Sequence, residues 1–192
     1  MSSSSLGVLK RGLVREVVVG RRAVAAIAVC AVVICLALAK EARIYTPFSP
    51  VPYTLQTFFV YVAGAGFPPG LATLSLAAYF VLGAIGLPIF TASLFGPTTG
   101  YLLGFVAAGW LAGTLARAVE RPSTLRILVA MLAGEAVILL LGAAYLAFCL
   151  GLGVPVAIEK GVVPFLAGDA LKLAAALALC RGLRGRLRGL FP

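Results

Sequence analysis

The sequence predicts an all-α membrane protein: a bundle of six transmembrane helices with both termini in the cytoplasm. Of its 192 residues, 62% are hydrophobic and only 11% are charged, whereas soluble domains carry about 25% charged residues. The basic residues are also distributed unevenly between the apolar runs. A lipid environment explains both observations, because membrane spans exclude charge and cytoplasmic loops collect lysine and arginine.

Six apolar stretches approach the length of about 20 residues that a helix needs to cross the hydrocarbon core. The second stretch is short and follows a proline-rich segment, and the fifth is long enough to bend at Gly142. In chain order, the predicted spans are residues 23–39, 55–67, 71–87, 100–116, 125–150 and 162–180.

The basic residues between these spans predict the orientation of the bundle. One side of the membrane receives twelve of them and the other side receives three, and such an asymmetry places the richer side in the cytoplasm. An even number of spans then follows, since both ends lie on that side. The cytoplasmic set is Lys10, Arg11, Arg15, Arg21, Arg22, Arg117, Arg121, Arg126, Arg181, Arg184, Arg186 and Arg188, and the outer set is Lys40, Arg43 and Lys160.

The first 22 residues are predicted to form a basic cytoplasmic tail, and residues 23–192 the membrane domain. An organellar transit peptide is the alternative, because the segment is rich in serine and arginine and poor in acids. The tail is favoured by an apolar helical face that would lie along lipid headgroups. This face consists of Leu6, Leu9, Leu13 and Val17, with Lys10, Arg11 and Arg15 beside it.

Several absences restrict the function. The chain has no histidine, the commonest general base and metal ligand. None of its four cysteines forms a Cys-x-x-Cys pair, and no lysine belongs to a phosphate-binding loop. We therefore expect no metal, no cofactor and no enzymatic activity, and ATP-driven work would need another chain. The net charge of +10 lies at the ends of apolar runs, which favours membrane lipid over nucleic acid as its partner.

Three ionisable side chains lie inside predicted spans: Glu135 in the fifth, and Asp169 and Lys172 in the sixth. Charge in hydrocarbon is costly, so each marks a candidate functional site. Asp169 and Lys172 are three residues apart and share a helical face. They form either an ion pair that fixes helix packing or part of a polar pocket for a small molecule. The pocket is favoured, because an ion pair alone leaves Glu135 without an obvious partner.

Two loops on the outer side have unusual compositions. Residues 45–56 contain Pro47, Pro50 and Pro52, which exclude a regular helix and favour extended backbone. This segment is either an ordinary loop or a lid carrying Tyr45, Phe48 and Tyr53. Residues 83–101 are rich in glycine and have no charge, which suits a cap over a pocket better than a loop exposed to water.

Four runs, FSPVPYTLQTFFVYVAG, LGAIGLPIF, GPTTGYLLGF and VVPFLAGDALK, occur in this order over roughly residues 45–172. Together they resemble the BioY family, the substrate-binding (S) components of biotin transporters of the energy-coupling factor (ECF) class. The third run departs from the family pattern, because Thr99 replaces the first glycine of a GG pair.

The resemblance implies a six-helix S-component in the cell membrane that binds biotin near its outer face, beneath the loop between the first two helices. It also implies a transmembrane coupling subunit and two cytoplasmic ATPases as partners. The matching motifs carry over Gln56, Tyr101, Asp169 and Lys172 as biotin contacts, and Glu135 takes a polar position of the fifth helix. We expect three further aromatic side chains to cover the apolar ring of biotin: Phe48, Tyr53 and Tyr79.

Two alternatives to this function stay open. One is an S-component of the same architecture for a different vitamin. The other is a standalone or proton-coupled biotin carrier that uses Glu135 and Asp169. An intramembrane enzyme ranks last, because no activated nucleophile is visible in the sequence.

Overall fold

The structure, a computed structural model, describes residues 3–90, 95–119 and 122–190, with side chains from residue 20 to residue 183 within these ranges. This part of the chain forms seven helices and one β-hairpin. In chain order the elements are α1 (Ser3–Ala39), β1 (Ile44–Thr46), β2 (Ser49–Tyr53), α2 (Gln56–Gly66), α3 (Pro69–Ala84), α4 (Thr99–Arg117), α5 (Thr124–Leu150), α6 (Val154–Gly161) and α7 (Leu166–Leu190).

Each predicted span coincides with a helix, but the count of six spans is not confirmed. Three helices are long and apolar enough to cross a membrane: Gly20–Ala39 within α1, then α4 and α5. Helix α6 and residues Leu166–Leu183 of α7 add a fourth crossing if this pair, bent by 50°, is one broken span. Helices α2 and α3 have 11 and 16 residues. The fold is therefore that of a multi-pass membrane protein, while six crossings and their direction remain predictions.

The N-terminal region is part of helix α1, which begins at Ser3 and continues to Ala39. No helix end marks residue 22, so the division into a tail and a membrane domain remains a prediction. The predicted apolar face, which consists of Leu6, Leu9, Leu13 and Val17, lies outside the described side chains.

Proline, serine and glycine set several of the helix ends. Pro69 opens α3, where its missing N–H costs nothing. The Ser123 side chain accepts a hydrogen bond from the Arg126 N–H at the start of α5, as an N-cap residue does. Gly151 ends α5 with a φ of 64°, a left-handed conformation that glycine adopts without steric cost.

Helices α4 and α5 form the closest helix pair of the bundle, and glycines permit this approach. A Cβ atom on Gly104 would lie 2.8 Å from the Ile138 Cα, and one on Gly100 would lie 2.4 Å from the Leu141 carbonyl oxygen. Neither backbone atom can move aside as a flexible side chain does. The core around this pair joins residues of every long helix, including Leu36, Val60, Leu76, Met131 and Leu173.

The proline-rich segment is extended, as the sequence predicts, and forms the antiparallel hairpin β1–β2 with Ile44 opposite Tyr53. The second outer loop is described only in part, because residues 91–94 lie outside the described residues. Its first half is anchored by hydrogen bonds from Lys40 Nζ to the Pro88 carbonyl and from the Tyr79 hydroxyl to the Ile89 carbonyl. The second of the two loops is therefore tied to α3 through Tyr79 and to the end of α1 through Lys40.

Candidate functional site

The site lies beside the break between α6 and α7. Pro164 lies within this break, and proline has no N–H to continue a helix. Two carbonyl groups of the break accept hydrogen bonds from tyrosines of other elements. Tyr101 on α4 donates to the Gly161 oxygen at 2.6 Å, and Tyr53 on β2 donates to the Pro164 oxygen at 2.6 Å. Irregular backbone in a membrane protein requires such internal partners.

Asp169 and Lys172 occupy the first two turns of α7 and form a buried ion pair, with 2.6 Å between Lys172 Nζ and Asp169 Oδ1. Thr57 Oγ1 donates to the same carboxylate oxygen at 2.8 Å and accepts from Lys172 Nζ at 2.9 Å. Lys172 also donates to the Thr54 carbonyl at 2.8 Å. The three donors of the ammonium group are thus all used, and the bonds from Lys172 and Thr57 to Asp169 both fall on Oδ1.

Gln56, the first residue of α2, is buried and bonded on three sides. Its Nε2 donates to the Leu36 carbonyl at 3.3 Å and to the Tyr79 hydroxyl at 2.6 Å. Its Oε1 accepts from Thr54 Oγ1 at 3.2 Å. Since Tyr79 also binds the Ile89 carbonyl at 2.5 Å, Gln56 is connected to the second outer loop through one hydroxyl group.

A cavity brings together four of the sequence-predicted site residues: Gln56, Tyr101, Asp169 and Lys172. It contains about 470 Å³ of empty space, counting the part that is open to the outside. Hydrophobic side chains from β2, α4, α5 and the break before α7 form most of its walls, and polar side chains form the rest. The remaining lining residues are Val51, Pro52, Thr54, Thr57, Thr98, Leu102, Phe105, Ile138, Leu139 and Phe165.

The other four sequence-predicted site residues do not line this cavity. Tyr79 is fully buried behind Gln56, and Glu135 is buried on α5, where its Oε2 accepts a hydrogen bond from Tyr61 at 2.5 Å. Phe48 is 70% exposed. It lines a separate outer groove with Tyr53, between the hairpin and α6.

Tyr53 stands between the cavity and the outer groove. Its ring lies 4.9 Å from that of Phe165, and the Phe165 ring lies 5.8 Å from that of Tyr101. The three aromatic side chains form a continuous wall from β2 to α4. Together with the bond to Pro164, this contact fixes the hairpin against the helix break.

The sequence did not single out three residues that belong to the site. Thr57 bridges the ion pair, Phe165 forms an aromatic wall, and Thr98 Oγ1 is buried at the cavity without a hydrogen-bond partner among the described residues. All three lie in the motif runs TLQT, GPTTGY and PFLAGDALK. Their position in these runs was the available signal, but which member of each run faces the cavity depends on helix rotation.

Thr99, the residue that departs from the family pattern, is also buried, and its Oγ1 donates to the Gly96 carbonyl at 2.9 Å. This hydrogen bond therefore connects the Thr99 side chain to the backbone of the loop before α4. Neighbouring Thr98, by contrast, has its free hydroxyl at the cavity.

This arrangement suits a small molecule that has hydrogen-bonding groups at one end and an apolar body. The Asp169 carboxylate offers an acceptor and Thr98 offers a hydroxyl that no described residue pairs, while the walls offer apolar and aromatic contact. The described residues contain no group of three or more metal-ligating acidic or cysteine side chains. Fold and site therefore define a class, the multi-pass membrane proteins with a partly open cavity of mixed polar and apolar lining between their helices.

Comparison with known proteins identifies the family within this class. The model of the BioY family matches residues 10–189, so the chain belongs to the BioY family. It is 39% identical over 150 residues to a probable biotin transporter BioY of Pyrococcus horikoshii, an alignment that covers 75% of this chain and 87% of the relative. It is 38% identical over 149 residues to the biotin transporter BioY of Thermotoga maritima, with 74% and 86% covered.

A solved structure has the same fold. It is the crystal structure at 2.1 Å of the S-component for biotin from an ECF-type ABC transporter, and the match covers 88% of this chain and 93% of that one. The TM-score is 0.77 at 25% sequence identity. This match confirms the predicted S-component fold.

Proposed function

We propose that this chain is the membrane-embedded substrate-binding subunit of a biotin uptake system. The observation that carries the proposal is the cavity in which Asp169 and Lys172 meet Gln56 and Thr98 beside apolar walls. Biotin has matching chemistry, with two N–H donors and a carbonyl on its ureido ring, an apolar bicyclic body and a carboxylate on an aliphatic tail.

The polar side chains that line the cavity match the hydrogen-bonding groups of the ureido ring. Asp169 lines the cavity and is the acceptor we assign to an N–H group, because the ion pair and Thr57 use only part of the acceptor capacity of its carboxylate. Lys172 compensates the charge of Asp169, and Gln56 and Thr98 supply further hydrogen-bonding groups. A site with buried polar partners selects strongly, since an analogue that lacks one group leaves its partner unpaired.

The apolar side chains that line the cavity match the apolar surface of the bicyclic body. Phe105 and Phe165 supply aromatic contact there, together with the ring of Tyr101, whose hydroxyl is engaged by Gly161. Tyr53 and Phe48 belong to the hairpin over the outer groove, and we assign them the role of a lid. Tyr79 acts behind Gln56 and not on the ligand.

Transport requires partners, and we assign them by family. A transmembrane coupling subunit and two cytoplasmic ATPases would move the captured biotin, and this chain itself would have no catalytic role. The basic asymmetry of the loops supports six crossings of the cell membrane with both termini in the cytoplasm. In that orientation the hairpin and α6 face the outside, where biotin arrives.

Calorimetric titration of the purified protein in detergent tests the assignment of the ligand. We expect saturable binding of biotin and no binding of other vitamins at the same concentrations. Binding of a different vitamin in place of biotin would identify an S-component of other specificity and refute the proposal.

A standalone or proton-coupled carrier is the second candidate, because Glu135 and Asp169 place two buried carboxyl groups close to the cavity. Uptake of labelled biotin in a host without coupling ATPases separates the two mechanisms. ATP-driven transport predicts uptake only when the coupling subunits are co-expressed. Uptake without them that disappears when the proton gradient is dissipated supports the carrier.

A further inference from the structure

Glu135 is a buried carboxyl group outside the cavity, and the proposed contacts with biotin do not use it. It lies in the middle of α5 and is 8% exposed. Oε2 accepts the hydrogen bond of Tyr61, while Oε1 is buried and receives no hydrogen bond from the described residues. A carboxylate in such a place would have half of its acceptor capacity unsatisfied, which is costly in an apolar interior.

The groups that face Glu135 do not supply a second cation. Tyr61 of α2 donates a hydrogen bond to it, and the Asp169 carboxyl group of α7 is its other close neighbour, whereas Lys172 of α7 and Tyr101 of α4 act on it only electrostatically. The only cation of this set is Lys172, and it is in direct contact with Asp169 at 2.6 Å. Two ionised carboxyl groups would therefore share one ammonium group inside the membrane domain.

We propose that Glu135 is a positioning residue that carries a proton and donates it to the Asp169 carboxylate. We assign the proton to Oε1, which is buried and receives no hydrogen bond from the described residues, and the acceptor is the neighbouring carboxyl group of Asp169. Tyr61 fixes Glu135 from one side, and Glu135 and Thr57 fix Asp169. The effect is a rigid, singly charged Asp169 with its free lone pairs available to the ligand.

The inference deepens the proposed function and rests on it for the ligand, but the protonation itself can be tested without biotin. Infrared spectroscopy of the ligand-free protein at neutral pH should show the C=O band of a protonated carboxyl group. This band should disappear in Glu135→Gln and persist in Glu159→Gln, which changes an exposed glutamate on α6. A spectrum without the band, or a band that persists in Glu135→Gln, overturns the inference.

Binding of biotin tests the positioning role with two variants of similar size. The amide of Glu135→Gln can accept from Tyr61 and donate to Asp169, so its affinity should stay within about twofold of the wild-type value. Glu135→Leu has no donor, and its affinity should fall about tenfold, as expected for the loss of a hydrogen bond to a charged group. Equal losses in both variants would contradict the positioning role.

These outcomes are distinguishable from failure of the proposed function. If wild-type protein does not bind biotin, the proposed function fails and the infrared result still decides the protonation of Glu135. If wild-type protein binds biotin but Glu135→Gln binds more tightly, Glu135 is an ionised group that repels the ligand, and the inference is wrong.

Discussion

Asp169 and Lys172 form an ion pair on the wall of the cavity that we propose as the binding site. The sequence left two interpretations open, a packing pair or a polar pocket, and the structure places both side chains on the wall of a cavity. Lys172 and Thr57 both bond to Oδ1 of Asp169, so the carboxylate keeps acceptor capacity for a ligand. The pair therefore packs α7 against α2 and exposes an acceptor at the same time.

The substitution Asp169→Asn should weaken the binding of biotin by about tenfold or more, because a charge-assisted hydrogen bond is lost and Lys172 loses its counter-ion. Calorimetry in detergent measures this change. Glu159→Gln is the matched control, since it removes a negative charge from an exposed position of α6. Wild-type affinity in Asp169→Asn would sink the assignment of this residue to the site.

Tyr79 shows a role that the sequence did not distinguish from ligand contact. Its hydroxyl connects Gln56 to the Ile89 carbonyl, so Tyr79→Phe leaves one donor and one acceptor unpaired in the interior. We expect the free energy of unfolding to fall by about 1–3 kcal/mol, with a smaller effect on the affinity for biotin.

Thermal unfolding in detergent, with and without biotin, tests this expectation. Tyr45→Phe removes the same hydroxyl group from a side chain that is 64% exposed, and it should leave stability unchanged. If Tyr79→Phe unfolds at the same temperature as Tyr45→Phe, the hydroxyl does not hold the second outer loop.

At the level of single residues, the sequence could identify charges and motifs but not contacts. Asp169, Lys172 and Gln56 stand out because ionisable or amide groups are rare in apolar runs. The separation of Tyr79 and Glu135 from the cavity depends on the rotation of α3 and α5 about their axes, which one sequence does not determine.

Helices α4 and α5 owe their close contact to glycine, and this makes the pair sensitive to a single methyl group. Gly104→Ala places a Cβ atom 2.8 Å from the Ile138 Cα, so the helices must separate beside the cavity. We expect a loss of about 1–3 kcal/mol in the free energy of unfolding, as overpacked cores show.

Gly70→Ala is the control for this prediction. It lies in the first turn of α3, where a Cβ atom meets nothing within 4 Å, and alanine favours helix over glycine by about 1 kcal/mol. Its unfolding temperature should equal or exceed that of the wild type. If Gly104→Ala and Gly70→Ala change the unfolding temperature equally, the close contact between α4 and α5 at Gly104 does not determine stability.

The elements themselves were largely predictable. Long apolar runs predicted α4 and α5 within a few residues of their observed ends. Three prolines predicted extended backbone for residues 45–56, but not its pairing as a hairpin. Helix α6 was not predicted, because residues 154–161 are few and mix apolar side chains with Glu159 and Lys160. The break at Pro164 divides what appeared in the sequence as the start of a continuous span.

On the scale of the whole molecule, the distribution of basic residues makes a prediction about topology. Residues near α6 should face the outside and residues at the end of α7 the cytoplasm. Single cysteines at Glu159 and Gly182, both exposed positions, test this in a variant whose four native cysteines are replaced.

A membrane-impermeant maleimide applied to intact cells should label Glu159→Cys, and it should label Gly182→Cys only after the cells are permeabilised. Labelling of both in intact cells, or the opposite pattern, would contradict the orientation with both termini inside. Permeabilised cells serve as the control for the accessibility of each thiol.

The central claim is that the cavity between α2, α4 and α7 holds biotin, and the amount of biotin that co-purifies with the protein tests it most directly. Protein isolated from cells supplied with biotin should release it in stoichiometric amount on denaturation, as measured by mass spectrometry, and Asp169→Asn should release far less. Wild-type protein that carries no biotin and binds none when it is added would contradict the account.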